Sequence, residues 1–128
     1  MTGIAGMALA ASLVTAGSVH AASWWSDPNS CSGAATAVSR VVSGRTVQVR
    51  YGTCGGVQHG WGRILNYASS DGIRFEVDLN GDRSADAWSF YRAGTRNYTS
   101  GYPTSSSADR AFRACYESGS TKSCTAWW

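Results

Sequence analysis

Residues 78–86 carry oxygen-bearing side chains at the spacing found in calcium-binding loops. The oxygens come from alternate positions of this segment: Asp78, Asn80, Asp82, Ser84 and Asp86. Calcium is coordinated by such carboxylate and amide oxygens. The segment departs from an EF-hand, since Arg83 stands where that loop has glycine and Ser89 where it has a bidentate glutamate. The alternative is a solvated acidic hairpin tip, and we predict no metal site.

Few residues have the types and spacing for hydrolytic catalysis. His59 lies in a Gly-rich stretch, residues 55–60, that is typical of an exposed loop, and the chain has no Gly-x-Ser-x-Gly motif. Glu76 and Asp78 are two residues apart in a strand pattern, so they face the same side, towards water and not into a cleft. We predict a protein that is not an enzyme and needs no cofactor.

Four cysteines, Cys31, Cys54, Cys115 and Cys124, form no Cys-x-x-Cys pair, and a zinc site would need closer spacing or more histidines. In an exported chain they predict two disulfides. Four cysteines allow three pairings. We favour Cys31–Cys54 and Cys115–Cys124, because each closes a local loop between candidate strands.

The first 21 residues have the features of a signal peptide. Residues 3–19 are small and apolar without any charge, and Val19 and Ala21 occupy the −3 and −1 positions of a cleavage site. The apolar stretch is too short and too rich in Gly, Ala and Ser for a membrane span. We therefore expect a signal peptide over 1–21 and one secreted, extracellular domain over 22–128.

Tryptophan, tyrosine and arginine are concentrated outside the predicted strands. The candidate partner-binding residues are Trp24, Trp25, Arg92, Arg96, Tyr98 and Tyr102. These residue types are enriched at the energetic centres of protein interfaces. The alternative for the terminal tryptophans, which include Trp127 and Trp128, is that the two termini meet and pack over one end of the domain. Trp61, Phe75, Trp88 and Phe90 fall within strand patterns and are predicted as core.

Alternating apolar and polar residues predict short strands. The clearest are residues 46–51 and 73–79, and further strands are expected at 38–42, 61–67, 87–91 and 108–117, the last as a strand or a short helix. Residues 52–60 and 93–107 are expected to be Gly-rich connections. Asn80-Gly81 predicts a tight hairpin with Val77 and Leu79 directed inward. The predicted fold class is all-β, a small antiparallel sandwich or barrel with two disulfides.

Composition excludes several classes of protein. A length of 128 residues leaves room for one domain, and the 15 glycines and 12% aromatic residues favour strands joined by tight turns. The net charge is +3, and the cations are scattered along the chain instead of forming a basic stripe. We expect neither nucleic acid nor a membrane as a partner.

Two motifs resemble a known family. Residues 46–54 followed by Trp61-Gly62-Arg63, together with Arg113-Ala114-Cys115 and Ser123-Cys124-Thr125, resemble the signature of an uncharacterised family of small exported two-disulfide β-proteins of Gram-positive soil bacteria. The resemblance covers residues 31–125. In size, export, disulfide number and all-β pattern the chain is also similar to the small adaptor subunit of secreted, umbrella-shaped antibacterial toxin particles. Neither family supplies a catalytic residue.

These observations predict a secreted, non-enzymatic module whose partner is another secreted protein. The resemblance to the adaptor subunit implies a role in linking components of an extracellular antibacterial toxin assembly. Two alternatives remain open from the sequence, an inhibitor of an extracellular hydrolase and a carbohydrate-binding protein. Composition alone does not separate these three classes of function.

Overall fold

The computed structural model describes residues 24–128, and the predicted signal peptide and the first two residues of the predicted domain lie outside them. A short 3-10 turn, Pro28–Ser30, precedes the strands. The strands are β1 Ser32–Val42, β2 Arg45–Cys54, β3 Val57–Leu65, β4 Gly72–Asp78, β5 Ala87–Arg92, β6 Tyr102–Pro103, β7 Ala111–Ser118 and β8 Thr121–Cys124. The described residues contain no α-helix, so the predicted all-β class is confirmed.

The strands form two four-stranded antiparallel sheets. The first sheet has the order β1-β2-β3-β6 and the second has the order β5-β4-β7-β8. Apolar side chains from both sheets fill one core, in which Val47, Val49 and Ile64 of the first sheet share a cluster with Phe75 and Phe112 of the second. The rings of Phe75 and Phe112 lie 5.1 Å apart. One face of each sheet is thus buried, as the period of two in the strand sequences requires.

Both predicted disulfides are present. Cys31–Cys54 joins the residue before β1 to the last residue of β2, and Cys115–Cys124 links a directly paired position of β7 and β8. The described chain contains no free cysteine. Each disulfide therefore fastens an edge strand to its neighbour, because β1 and β8 lie at the edges of their sheets.

Tight turns form at glycine, but not where the sequence predicted. Gly55 and Gly56, with φ of 61° and 83°, make a two-residue turn between β2 and β3, so the expected connection over 52–60 is almost entirely strand. Glycine adopts such left-handed angles without steric cost. A strand prediction that stops at the first glycine therefore missed the ends of both strands.

The predicted Asn80-Gly81 hairpin turn is wrong. β4 ends at Asp78 and β5 begins at Ala87, and only Gly81 of the dipeptide has a positive φ, at 86°. Val77 is buried as expected, whereas Leu79 is 39% exposed. The backbone leaves the hairpin path because the Asp78 carboxylate accepts hydrogen bonds from several N–H groups that follow it.

Candidate functional site: the outer face of the second sheet

The outer face of the second sheet carries a group of charged and aromatic side chains. Strand register brings them together, since Glu76 on β4 lies opposite Trp88 on β5 and opposite Arg113 on β7. We call the following residues the outer-face cluster: Arg74, Glu76, Trp88, Arg113, Lys122 and Trp127. Residues two apart in a strand share a face, which is why Arg74 joins Glu76 on this side.

Glu76 is the centre of the cluster. Its side chain has no solvent exposure and accepts hydrogen bonds from Arg74 Nε at 2.7 Å, Arg113 Nε at 2.6 Å and Lys122 Nζ at 2.7 Å. Burial acts to raise the pKa of Glu76, but the bonds from Lys122, Arg74 and Arg113 outweigh it and lower the pKa to about 2. Glu76 was expected to face water together with Asp78. The two do face the same side, but the cations and neighbouring strands cover them.

Two tryptophans cover the arginines. The guanidinium of Arg74 lies 4.6 Å from the centre of the Trp88 ring, and that of Arg113 lies 4.5 Å from Trp127. At these distances a cation is attracted to the face of an indole ring. Each arginine is therefore held at two points, by the Glu76 carboxylate through Nε and by a tryptophan ring over its plane.

Trp88 and Phe90 are not core residues, contrary to the sequence prediction. They are 55% and 37% exposed, respectively, on β5, which is an edge strand. The inward positions of β5 are taken by Ala87 and Tyr91, which pack against the core. Apolar residues occur on both faces of this short strand, so its sequence pattern could not indicate which face is buried.

A second group of aromatic residues lies at the N-terminal arm. We call Trp24, Trp25, Arg96, Tyr98 and Tyr102 the arm cluster. Trp25 exchanges two backbone hydrogen bonds with Gly101, at 2.7 and 2.8 Å, and the Trp24 ring stands edge-on to Tyr102 at 4.9 Å. Residues 97–103 in turn bond along the edge of β3. The arm thus extends the first sheet beyond β6.

The polar groups of the arm cluster are largely used within it. Arg96 lies over the rings of Tyr91 and Tyr98, at 4.2 and 4.3 Å, and donates to the carbonyl oxygens of Tyr98 and Ser26. The Tyr98 hydroxyl donates to Asp27 Oδ1 at 3.1 Å. Burial, together with this contact to Asp27, raises the pKa of Tyr98. All aromatic members of the cluster are half-buried.

The structure therefore brings five of the six predicted partner-binding residues together in the arm cluster. Arg92 is apart from them. It lies at the end of β5, where it covers the Phe90 ring at 5.4 Å and donates to the Ser70 carbonyl oxygen. The sequence pattern gave other roles to Glu76 and Trp88 and did not indicate that the outer-face cluster is a site. The only signal for it was Arg74 at alternate spacing from Glu76 on one face of a strand.

The candidate calcium loop is organised around an arginine. Asp78 is fully buried; its Oδ1 accepts from the N–H groups of Asn80 and Gly81, and its Oδ2 from the Arg83 N–H and Nη1, each at 2.7 Å. Burial would raise the pKa of Asp78, but these bonds, led by the Arg83 side chain, lower it. Carboxylate oxygens of Asp78, Asp82 and Asp86 lie within 4.8 Å of one another. The Arg83 guanidinium supplies the positive charge there, so the donor set does not fit a cation well.

His59 has a structural position. It lies on β3, not in an exposed loop, and is 5% exposed. Its Nδ1 lies 2.8 Å from the Val57 carbonyl oxygen, and its ring is 5.6 Å from that of Trp25. A shallow cavity of about 140 Å³ is lined by Gln58, Thr104, Ser105, Arg110, Phe112 and Trp128. None of these lining side chains is a carboxylate, a histidine or a cysteine that could transfer a proton or attack a substrate.

No protein-family model, curated protein or solved structure matches this chain. Within residues 24–128, none of the structure is a helix of the length and apolar character that crossing a membrane requires.

Proposed function

We propose that the protein is a secreted, non-enzymatic module that holds another secreted protein against the outer face of its second sheet. The observation that carries this proposal is the exposure of Trp88 and Phe90 next to each other on one edge strand. Burying a large aromatic side chain releases free energy, and the fold leaves Trp88 55% and Phe90 37% exposed. Exposed aromatic residues beside arginines are typical of interaction sites.

Export is supported by the covalent structure. Two disulfides and no free thiol in the described chain are consistent with an oxidising compartment. The apolar segment at residues 3–19 supports the same proposal from the sequence. A non-enzymatic role is supported by the use of His59 and Glu76 inside the fold, where His59 Nδ1 lies 2.8 Å from the Val57 carbonyl oxygen and the Glu76 carboxylate is bonded to Arg113.

A more specific form of the proposal is an adaptor subunit that links components of an extracellular antibacterial toxin assembly. An adaptor must contact two proteins, and this molecule has two aromatic regions, the arm cluster and the outer-face cluster. The resemblance of the sequence to adaptor subunits of such particles supports the same role. We propose that the outer-face cluster binds one component and that the half-buried aromatic rings of the arm cluster contact the other.

The test is capture of partners from concentrated culture medium with the immobilised protein. The variant Trp88→Ala/Phe90→Ala should recover at least about tenfold less partner, which corresponds to the loss of about one hot-spot residue. The control variant Val41→Ala/Tyr67→Ala removes two other exposed apolar side chains and should capture normally. Equal capture by all three proteins would overturn the proposed surface. Recovery of a hydrolase that the protein inhibits would replace the adaptor role with that of an inhibitor.

A carbohydrate-binding function is the second candidate, because an indole as exposed as that of Trp88 on an edge strand is also suited to stacking on a sugar ring. Affinity electrophoresis in gels that contain bacterial polysaccharides distinguishes the two. Retardation that disappears in Trp88→Ala would favour the carbohydrate function, and unchanged mobility would favour the protein partner.

A further inference from the structure

We infer that the outer-face cluster recognises an acidic, extended protein segment whose carboxylates occupy alternate positions. This inference rests on the proposed function and adds the charge and the spacing of the partner. It depends on four features of the cluster: arginine hydrogen-bond donors that the fold leaves unused, an excess of positive charge, guanidinium groups held in fixed positions, and a separation of the two arginines that matches alternate residues of an extended chain.

The two central arginines have unused hydrogen-bond donors. Within the described chain, Arg74 and Arg113 bond to protein oxygens through Nε alone. Their Nη atoms have no hydrogen-bond partner there, and none of these atoms is among the buried unpaired ones. Their side chains are 20% and 26% exposed. The Nη groups therefore face solvent. A guanidinium offers these groups as a planar fork that pairs with a carboxylate.

The cluster has more positive charge than its own carboxylates neutralise. Arg74, Arg113 and Lys122 surround the single carboxylate of Glu76. Glu117 also lies near them, 3.8 Å from Arg74, and Asp78 on the same face is paired with Arg83, which neutralises it. The three cations thus face two carboxylates, and Arg92 adds another positive charge at the end of β5. This excess favours an anionic ligand over a cationic one.

The guanidiniums are fixed before a ligand arrives. Glu76 holds each Nε, and Trp88 and Trp127 cover the two guanidinium planes. Ordering a free arginine side chain on binding costs conformational entropy. Here the fold has already ordered both arginines, so a carboxylate that meets them avoids that cost.

The spacing selects an extended segment. Glu76 on β4 lies opposite Arg113 on β7, and Arg74 is two positions earlier on β4. Arg74 and Arg113 are therefore diagonal neighbours on one face, about 7–8 Å apart with a somewhat shorter separation of their Cβ atoms. In an extended chain, side chains two residues apart project from the same face about 6.6 Å apart. Two carboxylates at alternate positions match the two forks, and apolar side chains nearby can contact Trp88 and Phe90.

The test uses short synthetic peptides and the full chain. A capped peptide that alternates Glu and Thr is compared with one that has the same residues in two blocks and with one that alternates Lys and Thr. Isothermal titration should show binding only by the acidic peptides, about fivefold or more tighter for the alternating one. Raising the salt from about 0.05 M to about 0.3 M should weaken the binding, because partly exposed charges are screened.

Conservative variants identify the arginine forks. Arg74→Lys and Arg113→Lys keep the charge that pairs with Glu76 but remove the fork, and each should weaken binding of the alternating peptide about tenfold. Arg40→Lys, which changes an exposed arginine on β1, is the matched control and should bind normally. Trp88→Ala keeps every charge of the cluster and provides a further variant if either arginine variant fails to fold. It should weaken binding severalfold.

Three results would overturn the inference: equal affinity for the alternating and block peptides, normal affinity in folded Arg74→Lys and Arg113→Lys, or displacement of the peptide by a sulfated polysaccharide that binds more tightly. The proposed function is tested separately by capture from culture medium. If Trp88→Ala/Phe90→Ala loses its captured partner while no acidic peptide binds, the protein-binding surface stands and the acidic segment is wrong. If capture is unaffected by that variant and the acidic peptide still binds, the acidic-segment site stands and the proposed protein-capture surface is wrong.

Discussion

The arm cluster and the outer-face cluster are built from the same residue types, yet they differ in what remains available. In both, arginine lies against aromatic rings at 4.2 to 4.6 Å. Arg96 in the arm donates to two backbone carbonyl oxygens, whereas Arg74 and Arg113 share one buried carboxylate and keep their forks in solvent. Residue type alone therefore does not identify a binding surface. The number of hydrogen-bond donors that the fold leaves unused is a better guide.

The largest expected effect comes from removing the centre of the outer-face cluster. Glu76→Ala removes the buried acceptor that three partly exposed cations share, and because water can replace part of the lost contacts we expect a cost of about 3 kcal/mol of unfolding free energy. Urea unfolding measures it. The control is Glu117→Ala, whose carboxylate is 29% exposed and 3.8 Å from Arg74 and should cost less than about 1 kcal/mol. Similar costs for the two variants would show that Glu76 does not organise this face.

A second pair of variants compares the two clusters directly. Trp24→Ala should lower the unfolding free energy by about 2 kcal/mol, because Trp24 packs against the core and Tyr102. Trp88→Ala should cost less than about 1 kcal/mol, since it loses mainly a cation–ring contact with Arg74. Thermal or urea unfolding decides between these expectations.

A double variant of the arm tests its predicted role in binding. Trp24 and Trp25 were predicted from the sequence as a partner anchor, and the capture experiment with Trp24→Ala/Trp25→Ala addresses that prediction at a temperature where the variant is folded. A folded double variant with a tenfold loss of capture would support the arm as an interface. A variant that is destabilised but captures normally would assign these tryptophans to the fold alone.

The clusters should also respond to opposite ends of the pH range. The pKa of Glu76 is lowered from 4.5 to about 2, so its contribution to stability is present above pH 4.5 and is lost as the pH falls towards 2. We expect this loss to be on the order of 1–2 kcal/mol after screening by water around the cations. The difference in unfolding free energy between the native protein and Glu76→Gln should shrink by that amount in acid.

The arm cluster gives the alkaline counterpart of that measurement. The pKa of Tyr98 is raised above 10.0 by burial and by the hydrogen bond to Asp27, so its contribution is present below pH 10 and is lost as the pH rises further. Tyr98→Phe should remove this alkaline sensitivity and leave the acid response unchanged.

The acid prediction has its own contradicting outcome. An acid response that is the same in Glu76→Gln and the native protein would contradict the assignment to Glu76.

Local sequence patterns predicted the fold well but predicted the candidate site poorly. The alternation in residues 73–79 and the cysteine spacing each reflect a single strand or a single loop; the strand is confirmed as far as Asp78, and both disulfides are confirmed. The outer-face cluster joins Glu76 to Lys122, which is 46 residues away. Only the pairing of four strands brings such residues together, and one sequence does not specify that register.

Two errors have a physical cause that is visible in particular residues. The six residues of β5 place Trp88 and Phe90 on one face and Ala87 and Tyr91 on the other, so hydrophobicity alone could not assign the core face. Asn80-Gly81 failed as a turn because the Asp78 carboxylate competes for the N–H groups of the residues after it. Side-chain hydrogen bonds thus overrode a strong local turn signal.

The smallest expected effect is that of calcium, and it extends the comparison to a third arginine–carboxylate unit. In the outer-face cluster the arginine forks stay open, whereas in the loop 79–86 Arg83 donates to Asp78 through both its backbone and its side chain. A calcium ion at Asp78 would have to displace the Arg83 guanidinium from the carboxylate. It would also compete with three backbone N–H groups that donate to the same carboxylate, those of Asn80, Gly81 and Arg83. Millimolar calcium should therefore change the melting temperature by less than about 1 °C, because a ligand that binds the native state raises it only when binding is appreciable. Arg83→Gly removes the competing cation and supplies the glycine that suits the φ of 57° at this position, so calcium should stabilise that variant more than the native protein. A rise of several degrees in the native protein would contradict this prediction and show that the loop exchanges its arginine for a metal.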